Sequence, residues 1–193
     1  MKSIAVFCGA NDGSLPIYSE KAQHLGGKLA EMGIRVIYGG AKIGIMGKVA
    51  EGALNAGGEV IGVIPNFLQT VEVAHENLTQ LLVVETMHER KTKMNELSDG
   101  IIALPGGFGT MEEFFEILTW GQLGLHSKPM GLLNVNGFYD SLIAQFDVMV
   151  DNKLLKPVNR EMVLVSDKTD DLLVRMKQYK APSVAKWITP QRT

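Results

Sequence analysis

The stretch Gly100-Ile101-Ile102-Ala103-Leu104-Pro105-Gly106-Gly107-Phe108-Gly109-Thr110-Met111-Glu112-Glu113 decides the fold of this chain. Its first five residues form an apolar run that predicts a buried parallel strand. A glycine-rich turn follows Pro105, and a helical pattern then continues to Leu123. A strand, a tight turn and a helix in this order are the repeating unit of α/β proteins.

Similar units repeat on both sides of this stretch, because short aliphatic runs alternate with helical patterns along the chain. This alternation predicts one Rossmann-like domain over residues 1–180, a doubly wound parallel sheet with helices on both faces, and a polar tail over 181–193. The predicted strands are 4–7, 35–38, 60–64, 81–85, 101–104, 131–133 and 162–165. The predicted helices are 17–32, 44–56, 87–98, 110–123, 139–152 and 167–177.

The glycine turn also predicts an anion site. Glycines let the backbone approach a phosphate closely, and the first amides of a helix point toward it. Thr110 adds a hydroxyl there. The spacing Gly-Gly-x-Gly-Thr matches neither the dinucleotide fingerprint nor the P-loop, so hydride transfer and ATP hydrolysis lose their main support. A tight turn that binds no ligand remains the alternative.

Helical periodicity singles out one glutamate after this turn. Glu113 falls inside the apolar arc of the helix, whereas Glu112 and Glu116 are predicted on its solvated side. A carboxylate on the core-facing side needs a partner or a function, so Glu113 is a candidate catalytic acid. A structural ion pair is the alternative.

A second helix carries the opposite charge on its inner side. Thr86 and Glu89 have the spacing of a capping box at its start, and Arg90 lies within its narrow apolar stripe. An inward arginine usually binds a carboxylate or a phosphate, although it also braces neighbouring helices. Arg90 and Glu113 on neighbouring strand–helix units together favour a site for a phosphorylated small molecule.

Composition excludes several other classes of protein. Apolar residues make up 46% of the chain and the net charge is −2, which does not favour binding to nucleic acid or to a membrane. Cys8 is the single cysteine, and no two histidines have the helical spacing of metal ligands, so we expect neither a disulfide framework nor a metal site. The first apolar run is too short for a signal peptide, and the cytoplasm is the expected location.

Two paired motifs carry a family resemblance. Met87-His88-x-Arg90-Lys91, followed by Pro105-Gly106-Gly107-x-Gly109-Thr110-x-x-Glu113, resembles the Lonely Guy (LOG) family of cytokinin riboside 5′-monophosphate phosphoribohydrolases. The resemblance covers most of the chain up to about residue 180. It implies hydrolysis of (N6-modified) adenosine 5′-monophosphates, without a cofactor, by a homodimer.

The resemblance also implies roles for individual residues. It places the catalytic pair at Arg90 and Glu113. The substrate contacts that it implies are Glu72, Arg90, Lys91, Gly106, Gly107, Phe108, Gly109, Thr110, Met111, Glu112, Glu113 and Thr119. The phosphate is expected on Gly9, Gly106, Gly107, Gly109 and Thr110. The segment Cys8-Gly9-Ala10-Asn11 departs from many relatives, which have serines after the glycine.

One other reading stays open at this point, that of a carrier protein, and a second one, that of a decarboxylase, is rejected. Molybdenum-cofactor carrier proteins share this architecture and its glycine loops, but a carrier does not need the inward Arg90 and Glu113. A pyridoxal-phosphate lysine decarboxylase needs a Schiff-base lysine and a pyridinium partner in a larger fold, and Lys91 and Lys93 lack that context.

Overall fold

The computed structural model describes residues 1–69 and 74–182. Its strands are β1 (Ser3–Phe7), β2 (Arg35–Tyr38), β3 (Val60–Pro65), β4 (Gln80–Val84), β5 (Gly100–Ala103), β6 (Met130–Leu133) and β7 (Val163–Ser166). Its α-helices are α1 (Pro16–Glu31), α2 (Gly44–Asn55), α3 (Met87–Leu97), α4 (Phe108–Gln122), α5 (Asp140–Asp151), α6 (Pro157–Arg160) and α7 (Thr169–Gln178). Short 3₁₀ turns lie at Asn66–Leu68 and Val135–Gly137.

All seven strands join one parallel sheet in the order β4-β3-β2-β1-β5-β6-β7. The direction of winding reverses between β1 and β5, where Ala5 pairs with Ile101. At such a reversal the loops after the two strands diverge to opposite faces, which leaves a crevice at the carboxyl ends. The fold therefore places the turns after Phe7 and Ala103 side by side.

The strands are apolar on both faces because helices cover both. One apolar cluster joins α1, α2 and α7 to the face that carries Ile4 and Val6. A second cluster joins α3, α4 and α5 to the face that carries Ala5 and Phe7. The doubly wound arrangement expected from the aliphatic strands is thus confirmed.

The predicted elements are confirmed within one residue at the strand ends and within two residues at the helix ends. Helix α4 begins at Phe108 rather than Thr110, because Gly107 is its N-cap and part of the glycine turn already belongs to the helix. The short helix α6, which starts at Pro157, was not predicted. Of the predicted tail, residues 183–193 lie outside the described part of the chain.

No α-helix in the described ranges is long and apolar enough to cross a membrane.

Candidate active site

A cavity of about 440 Å³ opens at the carboxyl ends of the central strands. The turns that follow three neighbouring strands form its floor, with Gly9 after β1, Gly39 after β2, and Gly106 and Gly107 after β5. The cavity therefore lies at the reversal of strand order, which is where open α/β sheets bind ligands.

The turn after β5 is packed so closely that only glycine fits at its centre. A Cβ atom on Gly106 would lie 2.1 Å from Thr110 Oγ1 and 2.9 Å from the backbone nitrogen of Gly9. The Gly9 N–H in turn donates to the Pro105 carbonyl at 3.1 Å, which joins this turn to the one after β1. The two glycine turns thus form one continuous backbone surface.

Helix α4 begins directly on this surface. No side chain caps its N-terminus, where Gly107 is the N-cap residue, and Thr110 is buried in its first turn. An uncapped helix start of this kind presents backbone N–H groups and a positive dipole end to a ligand. Its position at the cavity floor suits a phosphate group.

Arg90 reaches the cavity from α3 and is 4% exposed. Its Nη2 donates to the Gly39 carbonyl at 2.7 Å and its Nε donates to the Val63 carbonyl at 3.0 Å. One carbonyl just after β2 and one within β3 therefore hold the guanidinium in one orientation. The predicted inward direction of Arg90 is confirmed by this burial.

The start of α3 explains why Arg90 is so well placed. The Thr86 hydroxyl accepts a hydrogen bond from the Glu89 backbone N–H at 3.1 Å, as the predicted cap requires. The Glu89 carboxylate accepts from the Glu85 N–H at 2.8 Å, one residue further back than in the usual capping box. These bonds begin the helix one turn before the arginine.

Glu113 reaches the same cavity from α4 and is half-buried. Both charges act on the thiol of Cys8, which lies at the end of β1 in the cavity wall. Burial raises the pKa of this thiol strongly, the Glu113 carboxylate raises it further, and the Arg90 guanidinium opposes them. The cavity therefore combines a carboxylate, a guanidinium and a neutral thiol.

The prediction for the outer side of α4 was half right. Glu112 is exposed, with 57% of its side chain accessible, but Glu116 is only 25% accessible and is not on a solvated face. Lys91 of α3 forms ion pairs with both carboxylates, and its Nζ lies 2.8 Å from Glu116 Oε2. A lysine from a neighbouring helix thus covers this side of α4.

Some of the predicted contacts do not line the cavity. Those outside its wall are Lys91, Phe108, Met111, Glu112 and Thr119. The Thr119 hydroxyl donates to the Phe115 carbonyl of its own helix at 2.7 Å. Glu72 lies outside the described residues.

Sequence reasoning missed most of the apolar part of the cavity wall. The cavity is lined there by Tyr18, Ile45, Met46, Leu68, Met87, Met94 and Phe138. These residues do not stand out in the sequence, because apolar residues after strands and at helix starts are usually part of the core.

The histidines belong to no metal-binding group within the described part of the chain. Among residues 1–69 and 74–182, no group of three or more His, Cys, Asp or Glu side chains could hold an ion. His75 is buried, its Nδ1 accepts from the Asn77 N–H, and burial lowers its pKa. The ring of His126 contacts the Ile117 carbonyl.

The sequence of this chain is similar to a known protein family and to several named proteins. Residues 46–176 match the family model described as "Possible lysine decarboxylase". The chain is 44% identical over 176 residues to a protein of Oryza sativa subsp. japonica named as a probable cytokinin riboside 5′-monophosphate phosphoribohydrolase, covering 91% of this chain and 79% of the relative. An Arabidopsis thaliana cytokinin riboside 5′-monophosphate phosphoribohydrolase is 41% identical over 179 residues, covering 93% and 82%.

Solved structures share the fold at lower identity. A molybdenum cofactor binding protein of Rippkaea orientalis superposes with a TM-score of 0.69 at 23% identity, covering 91% of this chain and 95% of that one. The molybdenum cofactor carrier protein of Chlamydomonas reinhardtii has a TM-score of 0.69 at 22% identity over the same shares. At these identities the likeness is one of architecture alone.

Proposed function

Because this chain belongs to the Lonely Guy (LOG) family of cytokinin riboside 5′-monophosphate phosphoribohydrolases, we propose that it hydrolyses adenosine 5′-monophosphates, including N6-modified ones. The products are the free base and ribose 5-phosphate. The observation that carries the proposal is that Arg90 and Glu113 line one cavity together with an uncapped glycine turn.

The phosphate occupies the glycine turns in this proposal. The amides at the start of α4, the Thr110 hydroxyl and the backbone near Gly9 surround it, and they recognise its charge without a lysine. This remote contact orients the ribose over the strand ends, which supplies binding energy for the reaction at C1′.

Glu113 acts on the sugar. As the N-glycosidic bond breaks, its electron pair leaves with the base, and C1′ gains oxocarbenium character. The Glu113 carboxylate stabilises that positive charge, orients the water that adds to C1′ and accepts the proton that this water loses, while the departing base takes up a proton from solvent. Arg90, which two carbonyls hold in place, positions the substrate and keeps Glu113 ionised. This chemistry needs neither a metal nor a redox cofactor.

The base lies against the apolar wall in this arrangement. Met87 and Met94 from α3 and Leu68 provide flexible apolar surface for an N6 substituent. Proposed contacts in the cavity are Gly9, Arg90, Gly106, Gly107, Gly109, Thr110 and Glu113. Family resemblance adds Glu72, which is not among the described residues, and five residues that do not line the cavity, namely Lys91, Phe108, Met111, Glu112 and Thr119.

Lysine decarboxylation is a poor fit to this site. A pyridoxal-phosphate enzyme needs a lysine that reaches the cofactor aldehyde. None of the described residues that line the cavity is a lysine. Lys91 is bound to two glutamates and Lys93 pairs with Glu96 on the surface.

A panel of purine 5′-monophosphates tests the proposal. Purified protein is incubated with AMP, N6-substituted AMP and the matching nucleosides, and the released base is measured by chromatography. We expect release from the monophosphates and at least a hundredfold lower kcat/KM for the nucleosides, because the glycine turns bind only the phosphate. Binding without release would instead favour the carrier function, and equal turnover of nucleosides would contradict the phosphate assignment.

We also propose that the protein is a cytoplasmic homodimer. Phe108, at the mouth of the cavity, is 96% exposed, and Leu154 beyond α5 is 84% exposed. Aromatic side chains are enriched at protein–protein interfaces, so Phe108 is a candidate contact with the partner. Sedimentation velocity at micromolar concentration distinguishes the dimer from a monomer, and fractionation of the producing cells tests the location.

A further inference from the structure

Lys91 is a buried ammonium group that the cavity does not use. Its side chain is 9% exposed, and it pairs with Glu112 and Glu116, the latter with 2.8 Å between Nζ and Oε2. Burial alone would lower the pKa of Lys91, but the two carboxylates raise it above its ordinary value. Lys91 therefore remains charged and bound to α4.

The position of these partners matters for the site. Lys91 follows Arg90 on α3, and Glu113 lies between Glu112 and Glu116 on α4. Glu112 and Glu116 are one helical turn apart on the same side of α4, and Glu113 projects about 100° around from Glu112. An ammonium group that binds two carboxylates one turn apart restricts both the rotation of α4 about its axis and the shift of α4 along that axis.

Helix α3 is itself held against the sheet through Arg90. Arg90 is bound to the carbonyls of Gly39 and Val63, so the sheet holds the arginine while Lys91 holds the helix that carries Glu113. The contacts of these two neighbouring residues thus link the sheet to α3 and α3 to α4.

We propose that Lys91 is a positioning residue rather than a substrate contact: it holds α4 so that Glu113 faces Arg90 across the cavity. This inference rests on the proposed hydrolysis, since it concerns the placement of that catalytic pair. It differs from the role that family resemblance implies, in which Lys91 touches the nucleotide. The two roles make opposite predictions for binding and turnover.

The first test is Lys91→Met, which keeps the length of the side chain and removes its charge. We expect kcat to fall about tenfold, because catalysis depends on sub-ångström placement of the reacting groups. KM and the Kd for AMP, measured by calorimetry, should stay within about twofold, because no phosphate contact is lost. Lys91→Arg, which can still bind both carboxylates, should retain most of the activity.

The second test removes the partners instead. Glu112→Gln combined with Glu116→Gln should reproduce the loss of kcat, although neither residue lies in the wall of the cavity. This variant leaves Lys91 charged and unpaired, so it should also melt at a lower temperature. Adding Lys91→Met removes that lone charge and should restore stability without restoring kcat, which separates positioning from folding.

Lys93→Met is the matched control, since Lys93 is on the same helix and pairs with Glu96 at the surface. It should leave kcat and KM as in the parent. The proposal is overturned if Lys91→Met weakens AMP binding tenfold or more while the double glutamine variant keeps parent kinetics. It is also overturned if both variants keep the parent kcat.

Failure of the proposed function has a different signature. A parent protein that releases no base refutes the hydrolysis, whatever the variants do. The AMP affinity of Lys91→Met then still decides whether Lys91 touches the nucleotide: a tenfold loss shows that it does, and an unchanged Kd shows that it does not, while a role of Lys91 in positioning a catalytic pair falls with the hydrolysis.

Discussion

The substitution Gly39→Ala tests whether the position of the Arg90 guanidinium limits catalysis. In Gly39→Ala the new Cβ atom would lie 2.1 Å from Arg90 Nη2 and 2.9 Å from Met46 Sδ. The backbone of Gly39 itself suits alanine, because its φ angle lies outside the left-handed region. The perturbation is therefore a displacement of the guanidinium by more than about 1 Å, since ordinary van der Waals contact begins near 3.4 Å.

The size of the effect follows from that displacement. A catalytic group misplaced by about 1 Å costs about a hundredfold in rate, or about 2.7 kcal/mol in the activation free energy. Loss of the buried hydrogen bond from Arg90 to the Gly39 carbonyl, now 2.7 Å long, should destabilise the fold as well. Bonds to charged groups contribute about 1.5–3 kcal/mol, which lowers the melting temperature of a chain of this size by about 5–10 °C.

The assay follows base release from an adenosine monophosphate by chromatography, with thermal unfolding followed by circular dichroism. Gly27→Ala is the matched control, because its added Cβ atom meets only the Gly52 carbonyl at an ordinary 3.5 Å. We expect a hundredfold lower kcat/KM for Gly39→Ala well below its melting temperature and parent behaviour for the control. Parent-like kcat/KM in Gly39→Ala would refute the view that the position of Arg90 limits catalysis.

Three further predictions concern the charges of the cavity. Glu113→Gln should lower kcat on the order of a hundredfold or more while AMP still binds in calorimetry. Glu112→Gln should lower kcat less than about threefold, since Glu116 still pairs with Lys91. Equal losses of kcat in the two variants would contradict the assignment of Glu113 as the catalytic carboxylate. In kinetics of Arg90→Ala, Glu113→Ala and the double variant, the second substitution should add little to the first, whereas additive losses would mean that the two residues act independently. The Cys8 thiol, whose pKa is raised by burial and by the Glu113 carboxylate, should resist a thiol reagent at pH 8 until the protein unfolds, and rapid labelling of the folded protein would contradict its burial.

The parts of the fold that local pattern determines could be predicted. Aliphatic runs such as the one ending at Leu104 are strands because they are covered on both faces. Helical periodicity placed Arg90 and Glu113 on the inner sides of their helices for the same reason, since burial there depends on the spacing of apolar residues. The glycine turn was recognised from Gly106 and Gly107 because few other arrangements need adjacent glycines after a buried strand.

The features of the fold and site that depend on the relative placement of distant elements could not be predicted from the sequence. Glu116 belongs to the outer side of α4 by its spacing, and only the approach of Lys91 from α3 covers it. The contact between Gly39 and Arg90 joins a strand end to another helix and has no signature in either segment. The reversal of strand order could not be predicted either, because no local pattern shows that β5 pairs with β1.

The pairing of β1 with β5 also determines when the site comes into existence. One wall, with Gly9 and Arg90, belongs to the half of the chain that is synthesised first, and Glu113 belongs to the half that follows β5. A nascent chain on the ribosome can stack β1 to β4 early, yet it lacks the turn with Gly106 and Gly107 and the Glu113 carboxylate until β5 has emerged and docked. A chain that ends before β5 therefore lacks half of the proposed site, and in refolding experiments activity should not return before β5 docks on β1.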